Sequence, residues 1–364
     1  MNDKFFLLLR LAIGSSEIIP HIEKEEWRAI YEIAQTQSLS GLAFDGIQKM
    51  SDAAKMKGET MKMDVDLLMT WMGKCGQIEK RNRLLDDSVV KVSSWLQNKG
   101  FRSCILKGQG NAMMYPCPLH RTPGDIDVWI DGKPSDVIRF VRSVAPAEKA
   151  CYHHIDFPYI NGIPVELHYR PSYLHNPLHN HRLQRFFAEQ ADGQFSNGVD
   201  IGDGTVAVPT SAFNVVYQLV HIYNHLFQEG IGLRQIIDYY FVIDKWHTED
   251  STDNTALLHK LNSLGLCKFA GAVMYVLQEV LGLPDEKMIT TIDTVRGRLL
   301  LEEILQGGDF GQSDVRYVFG HGFFGHNLQR LCRDWRLVRH YPDEALSEPF
   351  FRIWHYLWRL KNKK

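Results

Sequence analysis

The sequence predicts an α+β protein in which a small mixed sheet is flanked by helical N-terminal and C-terminal regions. Three observations predict it. Apolar residues recur at helical spacing from residue 4 to about residue 100. Short alternating segments separated by Gly, Pro and Asn-Gly punctuation fill 101–208. Helical spacing then returns from Pro209 onward. The organisation read from these changes of period is a helical region over 1–100, an α/β core over 101–208 and a helical domain over 209–364.

In chain order, Ile22, Trp27, Ile30 and Ile33 place apolar side chains three to five residues apart, on one helical face. A long helix is predicted from about Met61 to Trp95 on the spacing of Leu67, Leu68, Trp71, Ile78, Leu84, Val89 and Val92, with Gly100 as its stop. Arg102–Leu106 reads as a strand, and Gly108–Tyr115 as a short helix ended near Pro116 and Pro118. Asp125–Ile130 alternates polar and apolar residues as a strand does, and Pro134–Val144 reads as a helix. His154–Ile160 and Ile163–Arg170 are joined by Asn161-Gly162, a two-residue hairpin signal. Thr210 or Ser211 would cap a helix running through Leu226, Gly230 and Gly232 break it, and Leu233–Trp246 forms the next.

Composition narrows the class. The chain has 364 residues, 45% hydrophobic and 23% charged, with a net charge of -2, which is ordinary for a globular protein. No overall positive field exists to hold a nucleic-acid backbone, so nucleic acid is disfavoured as a partner. The six cysteines form no CxxC pair and read as free thiols in a reducing compartment. The apolar run Phe5–Leu9 is cut by Arg10, too short for a signal segment or a membrane span. The expectation is a cytoplasmic protein with no membrane partner.

Gly124-Asp125-Ile126-Asp127 carries the chemistry. Two carboxylates two residues apart on a strand point to one face, while Ile126 and Val128 point to the other. Such a pair repels itself unless a hard divalent cation sits between, and Mg²⁺ prefers one or two carboxylates plus substrate phosphates. A two-residue Asn161-Gly162 turn pairs Ile160 with Ile163 and Phe157 with Glu166. That register puts Glu166 and His168 on one face and Asp156 on the other, choosing Glu166 as the third acid. Three carboxylates on neighbouring strands can hold two metal ions, and Glu166 can also take a proton. Upstream, Leu106-Lys107-Gly108-Gln109-Gly110 lies between a strand and a helix, where glycine lets a phosphate approach backbone N–H groups and Lys107 adds charge. The spacing is not that of a P-loop. Arg121 is a candidate for a bidentate phosphate contact.

Other polar residues carry weaker signals. His221 and His225 stand four apart on a helix face, but Ile222 occupies the place a zinc protease would give to Glu. They read either as packed, hydrogen-bonded histidines or, with Arg234 and Asp238, as a polar patch facing the cleft and touching substrate. His175, His179 and His181 cluster without helical or strand spacing and read as a solvated loop rather than a metal site. Arg330, Arg333, Arg336 and Arg339 recur every third residue and read as a solvated basic face.

The order of strand, Gly turn, helix, DxD strand and hairpin acid resembles the layout of the polymerase-β-like nucleotidyltransferase superfamily. More narrowly, the chain resembles the uncharacterised bacterial nucleotidyltransferase family NTP_transf_5. The matching stretches are Leu106-Lys107-Gly108, Tyr115-Pro116 to Arg121, Asp125-Ile126-Asp127-Val128 and Val165-Glu166-Leu167-His168. Leu7–Arg10 and the segment from Leu219 through His221 and His225 to Leu233–Asp238 also match. The resemblance implies Mg²⁺, with Mn²⁺ as an alternative and two ions expected, held by Asp125, Asp127 and Glu166, with nucleotide phosphate near Gly108. Gln109 stands where many superfamily members carry Gly or Ser, so Lys107 is expected to supply the phosphate contact instead. The implied reaction moves an NMP from an NTP to an unidentified acceptor (a small molecule, a sugar or a protein) and releases pyrophosphate. Two further classes are a nucleotide-binding regulatory protein without chemistry and a zinc hydrolase built on His221 and His225.

Overall fold

The computed structural model describes residues 1–249, 254–314, 316 and 323–362. Helices α1 (Asn2–Ile13), α2 (Trp27–Thr36), α3 (Ser40–Met56) and α4 (Val65–Asn98) come first. Then follow β1 (Ser103–Leu106), α5 (Gly108–Ala112), β2 (Ile126–Ile130), α6 (Pro134–Val144), β3 (His154–Ile160), β4 (Ile163–His168), α7 (Pro177–Ser196), β5 (Gly198–Ile201) and β6 (Gly204–Ala207). The remainder is helical: α8 (Ser211–Gln228), α9 (Leu233–Glu249), α10 (Asn254–Ser263), α11 (Cys267–Leu281), α12 (Thr294–Gly307), α13 (Phe323–Leu337) and α14 (Pro342–Lys361). This is an α+β fold. Among the described residues no helix is long and apolar enough to cross a membrane.

The long helix α4 starts where Asp64 accepts hydrogen bonds from the backbone of Asp66 and Leu67. It is followed by Gly100 at φ +84°, a conformation that costs glycine nothing. Thr210 stands at the start of α8 but does not cap it with its side chain. Its backbone N–H and its hydroxyl go instead to Gln194 Oε1, tying α8 to α7.

The main sheet has the order β1-β2-β4-β3, with β2 parallel to β4 and the other neighbours antiparallel. It separates two cores. Ile105, Ile126, Val128, Ile130, Val165 and Leu167 pack with α4 and α6 on one face. Cys104, Leu106 and Trp129 join the larger helical core on the other. Asp127 is therefore the polar interruption on the face that carries Trp129, set between strand neighbours and buried to 4% exposure.

The hairpin corrects one expectation. Asn161 and Gly162 both take positive φ, as a two-residue turn of this type requires, and Ile160 does pair with Ile163. A bulge between Phe157 and Ile160 then shifts the register by one residue. Phe157 pairs with Val165, and Asp156, not Phe157, lies opposite Glu166. Asp156 consequently shares the face of Glu166.

Two further expectations change. His175, His179 and His181 are not a solvated loop: His175 is buried, with Nδ1 2.8 Å from Glu344, while His179 and His181 lie on α7. Nor is the arginine series one solvated face. Arg333 is buried and donates to the Glu229 carbonyl, and Arg336 meets Glu302 and Glu303.

Candidate active site

Strand register brings the acids together. Asp127 pairs with Glu166 across the parallel β2–β4 ladder, and Asp125 stands one residue ahead of β2. One carboxylate oxygen from each of Asp125, Asp127 and Glu166 lies within 4.8 Å of the others. They open into a cavity of about 440 Å³, closed on its far side by α8 through His221, Asn224, His225 and Gln228. The chain's own cations fill part of the charge. Lys107 Nζ lies 2.9 Å from Asp127 Oδ2 and 3.4 Å from His221 Nε2. His168 Nε2 lies 2.9 Å from Asp127 Oδ1 and 3.3 Å from Glu166 Oε2, and His154 Nδ1 lies 3.1 Å from Glu166 Oε2.

These contacts set the charge states. The Asp127 carboxylate, aided by burial, holds Asp125 above the usual carboxylate range, while Lys107 partly offsets the rise. Burial works to raise Asp127, but Lys107 and His168 outweigh it and hold the group well below its ordinary value. Burial likewise opposes ionisation of Glu166, and the hydrogen bond from His168, with His154 nearby, leaves its pKa lowered. His154 is pushed up to about 10: burial opposes this, but Asp156, Cys151 and Glu166 prevail. His221 is the opposite case, held neutral by burial and by Lys107.

The phosphate turn is conformationally unusual. Lys107 sits at φ +52°, ψ −138°, a region a side chain adopts only at a cost of roughly 1–3 kcal/mol. Gly108 follows at φ +43°, and a Cβ there would come 3.8 Å from the Asp125 carbonyl. The twist points Lys107 into the carboxylates and lays the turn beside the backbone of Asp125.

Several predicted binding residues are otherwise engaged. Gln109, which the sequence places in the expected phosphate-binding turn, is buried and its side-chain amide donates to Asp86, tying α5 to α4. Arg121, expected at phosphate, is held instead in a buried ion pair. Its Nε and one Nη lie 2.8 and 2.7 Å from the two oxygens of Asp238, both residues being 4% exposed, and Tyr115 donates to the same carboxylate at 2.7 Å. Arg234 pairs with Asp309 at 3.2 Å and its guanidinium packs over Phe310. Of the expected cleft patch, His221 and His225 line the cavity, whereas Arg234 and Asp238 serve buried pairs outside it. Among the described residues no third ligand joins His221 and His225 in a metal-sized group. Sequence reasoning missed His153, His154, Asn224, Gln228 and Phe310 in the wall. The alternation of β3 was the signal available for His154, and the α8 face that carries His221 and His225 was the signal for Asn224 and Gln228.

The carboxylate set fits a divalent ion. Its donors are hard oxygens that converge within 4.8 Å of one another, an arrangement whose mutual repulsion a cation would relieve. A family model described as uncharacterised nucleotidyltransferase matches residues 23–282. No curated protein matches the chain.

Proposed function

Because the chain belongs to the uncharacterised nucleotidyltransferase family, whose general role is nucleotidyl transfer, we propose that it moves an NMP from an NTP to an acceptor hydroxyl or phosphate, with Mg²⁺ held by Asp125, Asp127 and Glu166. The observation that carries this reading is the convergence of the three carboxylates with Lys107 above them. When bound, divalent ions supply the charge that draws the triphosphate in and make the acceptor hydroxyl more acidic. The chain's own residues do the rest. Lys107 exchanges Asp127 for a phosphate oxygen, with the Gly108 turn beside it. Glu166, held ionised by its two histidines, accepts the acceptor's proton. His221, Asn224 and Gln228 orient whatever enters from the far wall. The reacting bond forms between the acceptor oxygen and the α-phosphorus, and the bond to pyrophosphate breaks.

Asp125→Asn and Asp127→Asn are each expected to abolish pyrophosphate release with the fold intact. Labelled NTPs incubated with the chain, Mg²⁺ or Mn²⁺ and candidate acceptors provide the assay. Full activity in either variant removes the assignment. The clasp of Asp127 by both Lys107 and His168 favours one second reading, a nucleotide-binding regulatory protein whose own cations close the site. Mg²⁺-dependent NTP binding with no transfer to any sugar, small molecule or protein would select it.

A further inference from the structure

A second donor cluster lies away from the carboxylate cavity, where the segment leading into β2 crosses α3 and α4. We infer that Asp45, Cys117 and the Nδ1 atom of His120 form a zinc site, with Glu79 orienting His120 from behind. One ligand atom from each of the three lies within 4.8 Å of the others. The set is mixed: a carboxylate, a thiol and an imidazole, the combination that suits Zn²⁺ rather than Mg²⁺. Nothing in the nucleotide site uses them.

Two features fit a set of metal ligands. His120 Nδ1 faces Asp45, while its Nε2 lies 3.2 Å from Glu79. That is the arrangement of a metal-bound imidazole whose outer N–H is fixed by a carboxylate. Asp45 is 8% exposed, and among the described residues its Oδ2 is buried with no hydrogen-bond partner. A bare buried carboxylate oxygen costs about 1–3 kcal/mol or more unless something fills the gap. Zinc entry displaces the protons of Cys117 and His120, and the fourth position is left for water.

The site has a structural consequence. In the same segment the carbonyls of Leu119 and Arg121 accept hydrogen bonds from Asn82 Nδ2, at 2.7 and 2.8 Å. It also lies so close to α3 that a Cβ on Gly41 would come 2.2 Å from the His120 carbonyl oxygen. Zinc would pin both helices to the strand approach that delivers Asp125. The site is a positioning element and takes no part in the transfer step.

The test uses the full chain, reconstituted with Zn²⁺ and then freed of loose metal. One zinc per chain is expected by elemental analysis, lost in Cys117→Ser and His120→Ala. Asp127→Asn should retain it. Cys151→Ser is the necessary control, because Cys151, His153 and His154 form another group of candidate ligands. With Co²⁺ in place of Zn²⁺, a thiolate-to-cobalt charge-transfer band should appear, be absent from Cys117→Ser and persist in Cys151→Ser. Glu79→Gln leaves all three ligands in place and should weaken zinc binding by about 10–100-fold. The inference is overturned if no zinc is retained, if Cys117→Ser keeps it, or if only Cys151→Ser loses it. Unchanged affinity in Glu79→Gln overturns the orienting role.

Discussion

Arg121 decides between a phosphate contact and a structural tie, and the two make opposite predictions. Arg121 and Asp238 are each 4% exposed and joined by two hydrogen bonds, with Tyr115 donating to the same carboxylate. Asp238→Leu leaves a buried cation without its partner, which costs about 3–5 kcal/mol. The orphaned Tyr115 hydroxyl adds about 1–3 kcal/mol. Arg121→Met alone strands the carboxylate and should cost a similar 3–5 kcal/mol. The triple variant Tyr115→Phe/Arg121→Met/Asp238→Leu removes every member, and replacing a buried pair by apolar groups of like volume is neutral to stabilising by about 1–4 kcal/mol. Urea unfolding followed by circular dichroism measures the stabilities, and calorimetry with ATP and Mg²⁺ measures binding. The triple variant should recover most of the lost stability and bind nucleotide as the parent does. Near-parent stability in Arg121→Met together with lost ATP binding would refute the structural account. The pair also has a pH signature. Burial opposes ionisation of Asp238, but Arg121 prevails and lowers its pKa. A depressed folded value means stability that is present above the unfolded pKa of about 3.9 and lost as pH falls through the folded one. The acid limb of the unfolding curve should therefore be shallower in the triple variant.

Two further outcomes follow. Lys107→Met removes the cation 2.9 Å from Asp127 and should weaken NTP binding by at least about tenfold, the factor carried by roughly 1.4 kcal/mol; titration calorimetry at fixed Mg²⁺ checks this, and unchanged affinity would remove Lys107 from the phosphate role. Asp334 on α13 is held above the ordinary carboxylate range by burial and by Glu348 on α14, with Arg352 and Arg330 partly offsetting. The folded chain then binds this proton more tightly than the unfolded one, so stability is full below the unfolded pKa and declines as pH rises through the folded value. Thermal midpoints between pH 5 and 9 should fall less in Asp334→Asn than in the parent, and parallel curves would contradict it.

Local rules made much of the fold legible. The period of apolar residues marked α4 and α8, Gly100 marked the end of the long helix, and Asn161-Gly162 marked the hairpin, because each depends on neighbours within one or two turns of chain. The carboxylates Asp125 and Asp127 were legible for the same reason: residues two apart on a strand share a face wherever the strand goes. Glu166 was chosen over Asp156 on a register that the bulge at 157–160 breaks. What separates the two is instead that Glu166 sits on β4, beside β2, while Asp156 lies one strand farther out on β3.

The sequence alone determined the α+β class, the strand that Asp125-Ile126-Asp127 leads into and the glycine turn after Lys107. Tertiary structure decided which charged groups are free. Arg121 is spoken for by Asp238 across 117 residues, Arg234 by Asp309 across 75 and Gln109 by Asp86 across 23. His153 and His154 enter the site only because β3 lies against β4. A side chain's type and spacing fix the chemistry it can perform and the face it occupies. Whether that chemistry is spent on a buried partner or left facing a cavity depends on long-range packing, which no local pattern encodes.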